Sequence, residues 1–278
     1  MIKNPLVQPV VKWVGGKRQL LHNLIPLFPA GVQSYCEPFF GGGAVLFNLQ
    51  PEQAQINDIN QDLMNMYTVI RDNVEELLVL LSQYRNEPDF FYSIRDWDRD
   101  KEKYDKLDNI VKSSRLIYLN KTCYNGLFRV NNDGEFNTPY GYYKNPNIVN
   151  AAVLRAVNEY LNFANVMITS VDYGEILRSV SPSTFVYLDP PYDPVSNTAS
   201  FTGYSKTGFS KDEQIRLRDQ CDELDRRGVK FVLSNSATPF IVDLYSHYKV
   251  SRVYAKRIVN SVASKRGDIE EVIIRNYE

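Results

Sequence analysis

The sequence predicts an α/β fold: a doubly wound sheet, interrupted between residues 61 and 148 by a helical insert that carries a hairpin. Three observations predict it. Short apolar runs that read as buried strands alternate with helix-period stretches at both ends of the chain. Two of those runs stop at abrupt turns, Glu37-Pro38-Phe39-Phe40-Gly41-Gly42-Gly43 and Asp189-Pro190-Pro191-Tyr192. Between them lies a long helix-patterned stretch, followed by a segment dense in Asn, Gly and Tyr.

The elements follow in order. Gln33-Ser34-Tyr35-Cys36 is a short strand and Ala44 opens a helix. Glycines at such a strand-to-helix turn let the backbone approach a ligand closely. The spacing is not Gly-x-Gly-x-x-Gly, which disfavours a nicotinamide dehydrogenase, and Gly15-Gly16-Lys17-Arg18 does not fit a P-loop. Ala54-Gln55-Ile56-Asn57-Asp58 reads as a second strand ending in an acid. Asp58 would accept hydrogen bonds from ribose hydroxyls, or simply cap a helix. Helical patterning then dominates, most clearly over residues 74–84 and 108–119. Residues 124–143 read as hairpin and loop, with Asn132-Asp133-Gly134 as the turn.

The α/β alternation resumes after residue 148. Val166-Met167-Ile168-Thr169 and Phe185-Val186-Tyr187-Leu188 are strands. Ser210-Lys211-Asp212-Glu213 is a capping box, opening a helix that shows Leu217, Cys221 and Leu224 on one face and stops at Gly228. Residues 229–234 form another buried strand, and Thr238-Pro239 opens a further helix. Residues 248–254 and 271–276 can pair as antiparallel strands.

Bulk properties narrow the function. The 278 residues carry a formal net charge of −1, so a uniformly basic nucleic-acid binder is excluded but a local basic face is not. Three widely spaced cysteines, Cys36, Cys123 and Cys221, give neither a zinc pattern nor a disulfide framework, which fits a reducing, cytoplasmic compartment. Two histidines, His22 and His247, give little support to a metal site or a Ser-His-Asp triad. Lys3, Lys12 and Lys17 leave no room for a signal-peptide core, and no apolar run is long enough to span a bilayer.

Asp189-Pro190-Pro191-Tyr192 carries the chemistry. Two prolines cannot continue a strand or donate ladder bonds. They leave a carboxylate, a free backbone carbonyl and a ring at a strand's C-terminal end, where ligands bind in open α/β sheets. Two acceptors beside a flat ring can grip the amino group of a planar base. The plainer reading is a proline-rich turn.

The ordered set of motifs is more specific than any one of them. Lys12-Trp13-Val14-Gly15-Gly16-Lys17, the Glu37 to Gly43 turn, Asn57-Asp58 and Asp189-Pro190-Pro191-Tyr192 follow the motif order of Dam and DpnII-type (D12 class) DNA adenine-N6 methyltransferases. Two further blocks match: the run from Leu119 to Lys144, including Tyr124-Asn125-Gly126-Leu127-Phe128-Arg129, and Phe201-Thr202-Gly203-Tyr204. The resemblance covers nearly the whole chain. It implies a Rossmann-like methyltransferase domain over residues 1–60 and 149–278, and a DNA target-recognition domain over 61–148. It implies S-adenosylmethionine as cofactor, double-stranded DNA as partner, and a monomer or weak dimer on DNA.

The resemblance also assigns residues. Asp189 and the Pro190 carbonyl accept from the adenine amine, and Tyr192 stacks on the flipped base. Trp13, Lys17, Phe39, Gly41, Gly43, Asp58, Asp172, Tyr173 and Asp189 border the cofactor. Lys17 lies near its carboxylate, Asp58 takes its ribose, and Asp172 accepts from its base. Arg129 and Lys12 match guanine contacts, Tyr124 and Asn125 insert near the flipped base, and Leu127 and Pro139 touch thymine methyls. Because the hairpin is similar to those that read GATC, that target is expected. Phe201 and Tyr204 are equally pocket wall or core.

Two cation-rich stretches suggest a phosphate-binding surface. One holds Lys112, Arg115, Lys121 and Arg129; the other holds Arg252, Lys256, Arg257, Lys265 and Arg266. Two other readings stay open. One is a cytosine-N4 methyltransferase, whose motif more often begins with Ser. The other is a non-catalytic DNA-binding regulator on the same scaffold.

Overall fold

The computed structural model describes residues 3–195, 209–256 and 268–278. Phe201, Tyr204, Arg257, Lys265 and Arg266 lie outside the described residues. By its contacts the chain divides into two units. The first comprises Met1–Gly16, Gly41–Glu52 and Asp58–Ser170, and the second Lys17–Phe40, Gln53–Asn57 and Val171–Glu278. Residues 61–148 thus fall wholly within the first unit.

The second unit is the α/β part. Its strands are β1 (Ser34–Glu37), β2 (Gln53–Asn57), β4 (Thr184–Leu188), β5 (Phe231–Ser236), β6 (Lys249–Lys256) and β7 (Asp268–Arg275); the short β3 (Met167–Thr169) is counted with the first unit. The six run in the order β2-β1-β4-β5-β7-β6. The pairs β1/β2, β1/β4 and β4/β5 are parallel, whereas β7 pairs antiparallel with both β5 and β6. The sheet is mixed because β7 runs antiparallel to both of its neighbours.

Every residue of β4 and of β5 is buried, as expected for parallel strands covered on both faces. One face packs Val186, Leu188, Phe231 and Leu233 against Ile176, Leu217, Cys221 and Leu224. These come from helices Tyr173–Ser179 and Lys211–Arg226. The capping box forms, with Ser210 Oγ accepting from the Glu213 amide, and Gly228 ends the helix region at φ +71. All three cysteines are free and buried.

The first unit is built on helices. Gln61–Asp72 buries Leu63, Met66, Tyr67 and Ile70 and packs against Asn109–Thr122 and Ala151–Phe163. Asn109–Thr122 is buried nearly all round although it carries Ser113, Ser114, Arg115 and Thr122. The hydroxyls satisfy themselves: Ser113 donates to the Asn109 carbonyl, Ser114 to that of Val111 and Thr122 to that of Tyr118. Arg115 is buried against Asp98 at 2.7 Å and donates to the carbonyls of Ile94 and Arg95. It is therefore a structural cation, not part of the phosphate surface its charge suggested. No helix among the described residues is long and apolar enough to cross a membrane.

Candidate active site and nucleic-acid interface

In the second unit the first parallel strands end in the segments that the sequence singled out. β4 is stopped by Pro190 and Pro191, which leaves Asp189 at its C-terminal end. Lys17 Nζ lies 2.8 Å from Asp189 Oδ1 and 4.7 Å from the centre of the Tyr192 ring. Lys17 is only 7% exposed and Asp189 17%, so the pair is largely shielded from solvent. Burial raises the Asp189 carboxyl from its ordinary 3.8 to about 6; Lys17 opposes that rise and the charge of Glu271 adds to it. Tyr192 donates its hydroxyl to Glu271 Oε2 at 2.7 Å, which fixes the ring's direction. Among the described residues nothing donates to the Pro190 carbonyl, whereas the Pro191 carbonyl accepts from Gln214 Nε2 at 2.9 Å. The turn thus offers a carboxylate and one uncommitted carbonyl, the pair of acceptors an amine needs.

Asn57, the last residue of β2, organises the neighbouring strand end. Its Oδ1 accepts from the Val171 amide at 2.9 Å, and its Nδ2 donates to the carbonyls of Val171 and Pro38. Those bonds set the backbone just before Asp172 and just before Phe39. Phe39 packs at 5.0 Å from Tyr173 and edge-on at 5.9 Å from Phe209. Asp172 caps the helix that follows it by accepting from the Gly174 amide, and pairs in fork geometry with Arg216. Arg216 holds the Asp172 carboxyl below its usual range. The capping role that competed with cofactor binding for Asp172 is therefore present, while the carboxylate stays ionised and 40% exposed.

In the first unit the glycine turn packs on Trp13. Gly41 and Gly43 have φ +52 and +71, and a Cβ at Gly41 would sit 3.0 Å from Trp13 Cδ1. Only glycine suits that backbone and that approach. Asp58 Oδ2 accepts from the Gly41 amide at 2.8 Å, and its Oδ1 accepts from the Asn60 amide at 2.9 Å. Asn60 rather than Asp58 caps helix Gln61–Asp72, so the competing capping role falls away for Asp58. Burial raises the Asp58 carboxyl and the two backbone bonds lower it.

The hairpin of the first unit stands on buried residues and shows polar ones. The pairs Cys123↔Tyr140 and Val130↔Phe136 hold its arms. Asp98 accepts from the Phe136 amide at 2.7 Å and Arg99 donates to the Phe136 carbonyl at 2.7 Å, so the two side chains hold that backbone as a neighbouring strand would. Tyr124, Asn125, Arg129 and Pro139 are exposed, and Leu127 is half-buried. Asn125 adopts φ +58 in the turn. Arg129 donates Nε to Asn137 Oδ1 at 2.7 Å and Nη2, at a longer 3.5 Å, to the Asn137 carbonyl, so Asn137 braces one side of the exposed guanidinium. Asn120 joins Lys12 to this turn by accepting from the Lys12 amide and donating to the carbonyls of Lys12 and Gly126.

Sequence reasoning missed Asn57, Gln214 and Glu271. Asn57 was visible only as the neighbour of Asp58, and Gln214 only as the residue after a capping box. Glu271 is 79 positions from Tyr192, and no local signal marks it.

Residues 13–259 match the family model described as D12 class N6 adenine-specific DNA methyltransferase. The chain is 41% identical to type II methyltransferase M1.LlaDCHI of Lactococcus lactis subsp. cremoris, across 98% of this chain and 96% of that one. It is 43% identical to type II methyltransferase M.MjaIII of Methanocaldococcus jannaschii, across 98% of this chain and 99% of the relative. It is 30% identical to the DNA adenine methylase of Escherichia coli strain K12, across 95% and 93%. The family model is adenine-specific, which decides against the cytosine reading, and a catalytic family over this length decides against the regulator. A match of this extent, together with a strand-end carboxylate beside an uncommitted carbonyl, shows that the chain belongs to the D12 class N6 adenine-specific DNA methyltransferases.

Proposed function

We propose that this adenine-specific DNA methyltransferase takes S-adenosylmethionine as its methyl donor and acts on the adenine of GATC in double-stranded DNA, with residues 61–148 as the target-recognition domain. The observation that carries the chemical reading is the Asp189 carboxylate beside a Pro190 carbonyl to which no described residue donates. The adenine amine is a poor nucleophile because its lone pair is delocalised into the ring. Accepting both N–H groups at Asp189 and Pro190 localises that lone pair and orients it. Positioning of this kind lowers barriers by about 7–11 kcal/mol in favourable cases. The carboxylate then stabilises the positive charge that develops on nitrogen. It does not deprotonate the neutral amine, for which a carboxylate is far too weak a base. Tyr192, its hydroxyl tied to Glu271, presents a face on which a base taken out of the duplex can stack.

The residues fit the cofactor on the chemistry of their donors. Each Asp58 oxygen holds one backbone amide and keeps a lone pair for a ribose hydroxyl. Gly41 and Gly43 keep the turn beside Trp13 free of side chains, Phe39 and Tyr173 supply apolar surface, and ionised Asp172 can accept from an exocyclic amine. When bound, the cofactor supplies the methyl group. Asp58→Ala is expected to weaken cofactor binding more than it slows saturated turnover, since a ribose contact exists in ground and transition states alike. Calorimetric titration checks it, and an unchanged dissociation constant would refute the ribose role.

The GATC reading is supported by the exposed, braced Arg129. Bidentate arginine on guanine is worth about 1–3 kcal/mol of discrimination, whereas a phosphate contact adds none directly. Arg129→Ala is therefore expected to relax sequence choice about tenfold to a hundredfold on a panel of GATC duplexes and single-base variants. Lys265 and Arg266 are proposed as phosphate contacts, so their replacement weakens all duplexes alike and flattens the salt dependence. If Arg129→Ala loses the same factor on every duplex, Arg129 is a phosphate clamp. If the wild type shows no preference for GATC, the target is wrong and the chemistry stands.

A further inference from the structure

The turn after β4 rests on buried polar side chains to which the reaction so far gives no part. Gln214 Nε2 donates to the Pro191 carbonyl at 2.9 Å, and Gln214 Oε1 accepts from Asn235 Nδ2 at 3.0 Å. Asn235 Oδ1 accepts from the Asp193 amide at 3.1 Å, and Ser236 Oγ donates to the Asp193 carbonyl at 2.7 Å. Thr238 closes the set by donating to Asp193 Oδ2 at 2.6 Å. Gln214, Asn235 and Ser236 are at most 2% exposed. They come from the first turn of helix Lys211–Arg226 and from the end of β5, both remote in sequence from the turn they hold.

The turn needs such support. Pro190 and Pro191 have no N–H, so neither can anchor itself by donating a backbone bond. Each ring fixes its own φ but leaves ψ free, and ψ sets where the carbonyl points. Tying down the Pro191 carbonyl and both backbone groups of Asp193 removes that freedom from the C-terminal side.

We propose that Gln214, Asn235 and Ser236 are positioning residues for methyl transfer, fixing the Pro191–Asp193 backbone so that the Pro190 carbonyl and the Asp189 carboxylate are both aimed at the target amine. The inference rests on the reading of Asp189 and Pro190 as amine acceptors. The three side chains touch neither the amine nor the donor. Their loss misplaces an acceptor without removing it, and a displacement near 1 Å can cost about a hundredfold in rate. The effect belongs to the chemical step and not to binding.

The test uses the full chain, S-adenosylmethionine and a GATC duplex. Gln214→Met keeps the volume but loses donor and acceptor. It is expected to slow single-turnover methyl transfer about tenfold to a hundredfold, with the dissociation constants of cofactor and DNA within about twofold of wild type. Gln214→Glu should recover most of that loss. Burial favours the neutral acid, which can accept from Asn235 and donate to Pro191. Ser236→Ala, a change small enough to leave folding intact, should slow transfer several-fold and decides the matter if Gln214→Met does not fold. Single-turnover rates near wild type for folded variants would overturn the proposal. So would a loss of rate matched by an equal loss of cofactor affinity, or a Glu variant as slow as the Met variant. Failure of the underlying reading is distinguishable, because there the wild type transfers no methyl to adenine or Asp189→Ala remains active.

Discussion

Asp189→Ala is expected to slow methyl transfer about a hundredfold to a thousandfold while the protein stays folded, the usual cost of removing one preorganised group that stabilises developing charge. Asp189 sits at the end of β4, where truncation exposes no core. Lys17 loses the Asp189 carboxylate but still faces the Tyr192 ring at 4.7 Å, and the bonds at Pro191, Tyr192 and Asp193 remain. Single-turnover transfer by the purified variant, set beside its melting curve, checks both halves; near-wild-type turnover sinks the assignment.

The same carboxylate sets a pH limb. Burial raises the Asp189 carboxyl to about 6, and only the ionised form can accept from both the amine and Lys17. In wild type kcat/KM, which reports the free enzyme, should therefore be flat above that value and fall about tenfold per unit below it. The stability linkage has the opposite sign. A carboxyl raised in the folded state favours folding most below its ordinary pKa, and that contribution is lost as pH rises through about 6. The protein thus sacrifices some stability at neutral pH to keep a buried acceptor charged. Asp189→Asn should abolish the acid limb along with most of the rate.

Arg115→Ala is expected to destabilise the protein by about 3–5 kcal/mol, the usual cost of breaking a buried ion pair, and nearer the lower figure because Asp98 keeps Arg99. The carbonyls of Ile94 and Arg95 lose their donor as well. Since Asp98 also accepts from the Phe136 amide, the loss should loosen the hairpin that carries Arg129. A phosphate-contacting arginine would behave oppositely, weakening DNA binding with a melting temperature close to wild type. Thermal or urea unfolding of Arg115→Ala beside Lys121→Ala separates the two roles.

Much of the fold was legible because its signals are local. Strand β4 and the start of β5 show as apolar runs, β1 and β2 as short segments ahead of the glycine turn and Asp58, and prolines, glycines and caps mark the ends. Asp189, Asp58, the Gly41–Gly43 turn and the hairpin were legible as motifs, since each depends on neighbours a few residues away. Charge misled where burial decides the role. Arg115 is written like a surface cation, and Arg252, read as part of a cation-rich stretch, meets Glu270 from the next strand at 2.7 Å.

The sequence by itself determined the fold class, the family and the acceptor motif. All three rest on backbone preferences and short spacings that survive in one dimension. The tertiary structure alone decided which acceptors stay uncommitted. Gln214 takes the Pro191 carbonyl and leaves that of Pro190, Glu271 orients Tyr192, Asn57 ties the backbone before Phe39 to that before Asp172, and Asp98 and Arg99 grip the hairpin at Phe136. Each of these joins residues far apart in the chain by one hydrogen bond between side chains or from side chain to backbone. Such a bond has no periodicity and no local signature, and its partner is fixed only when strand register and helix packing bring the two together.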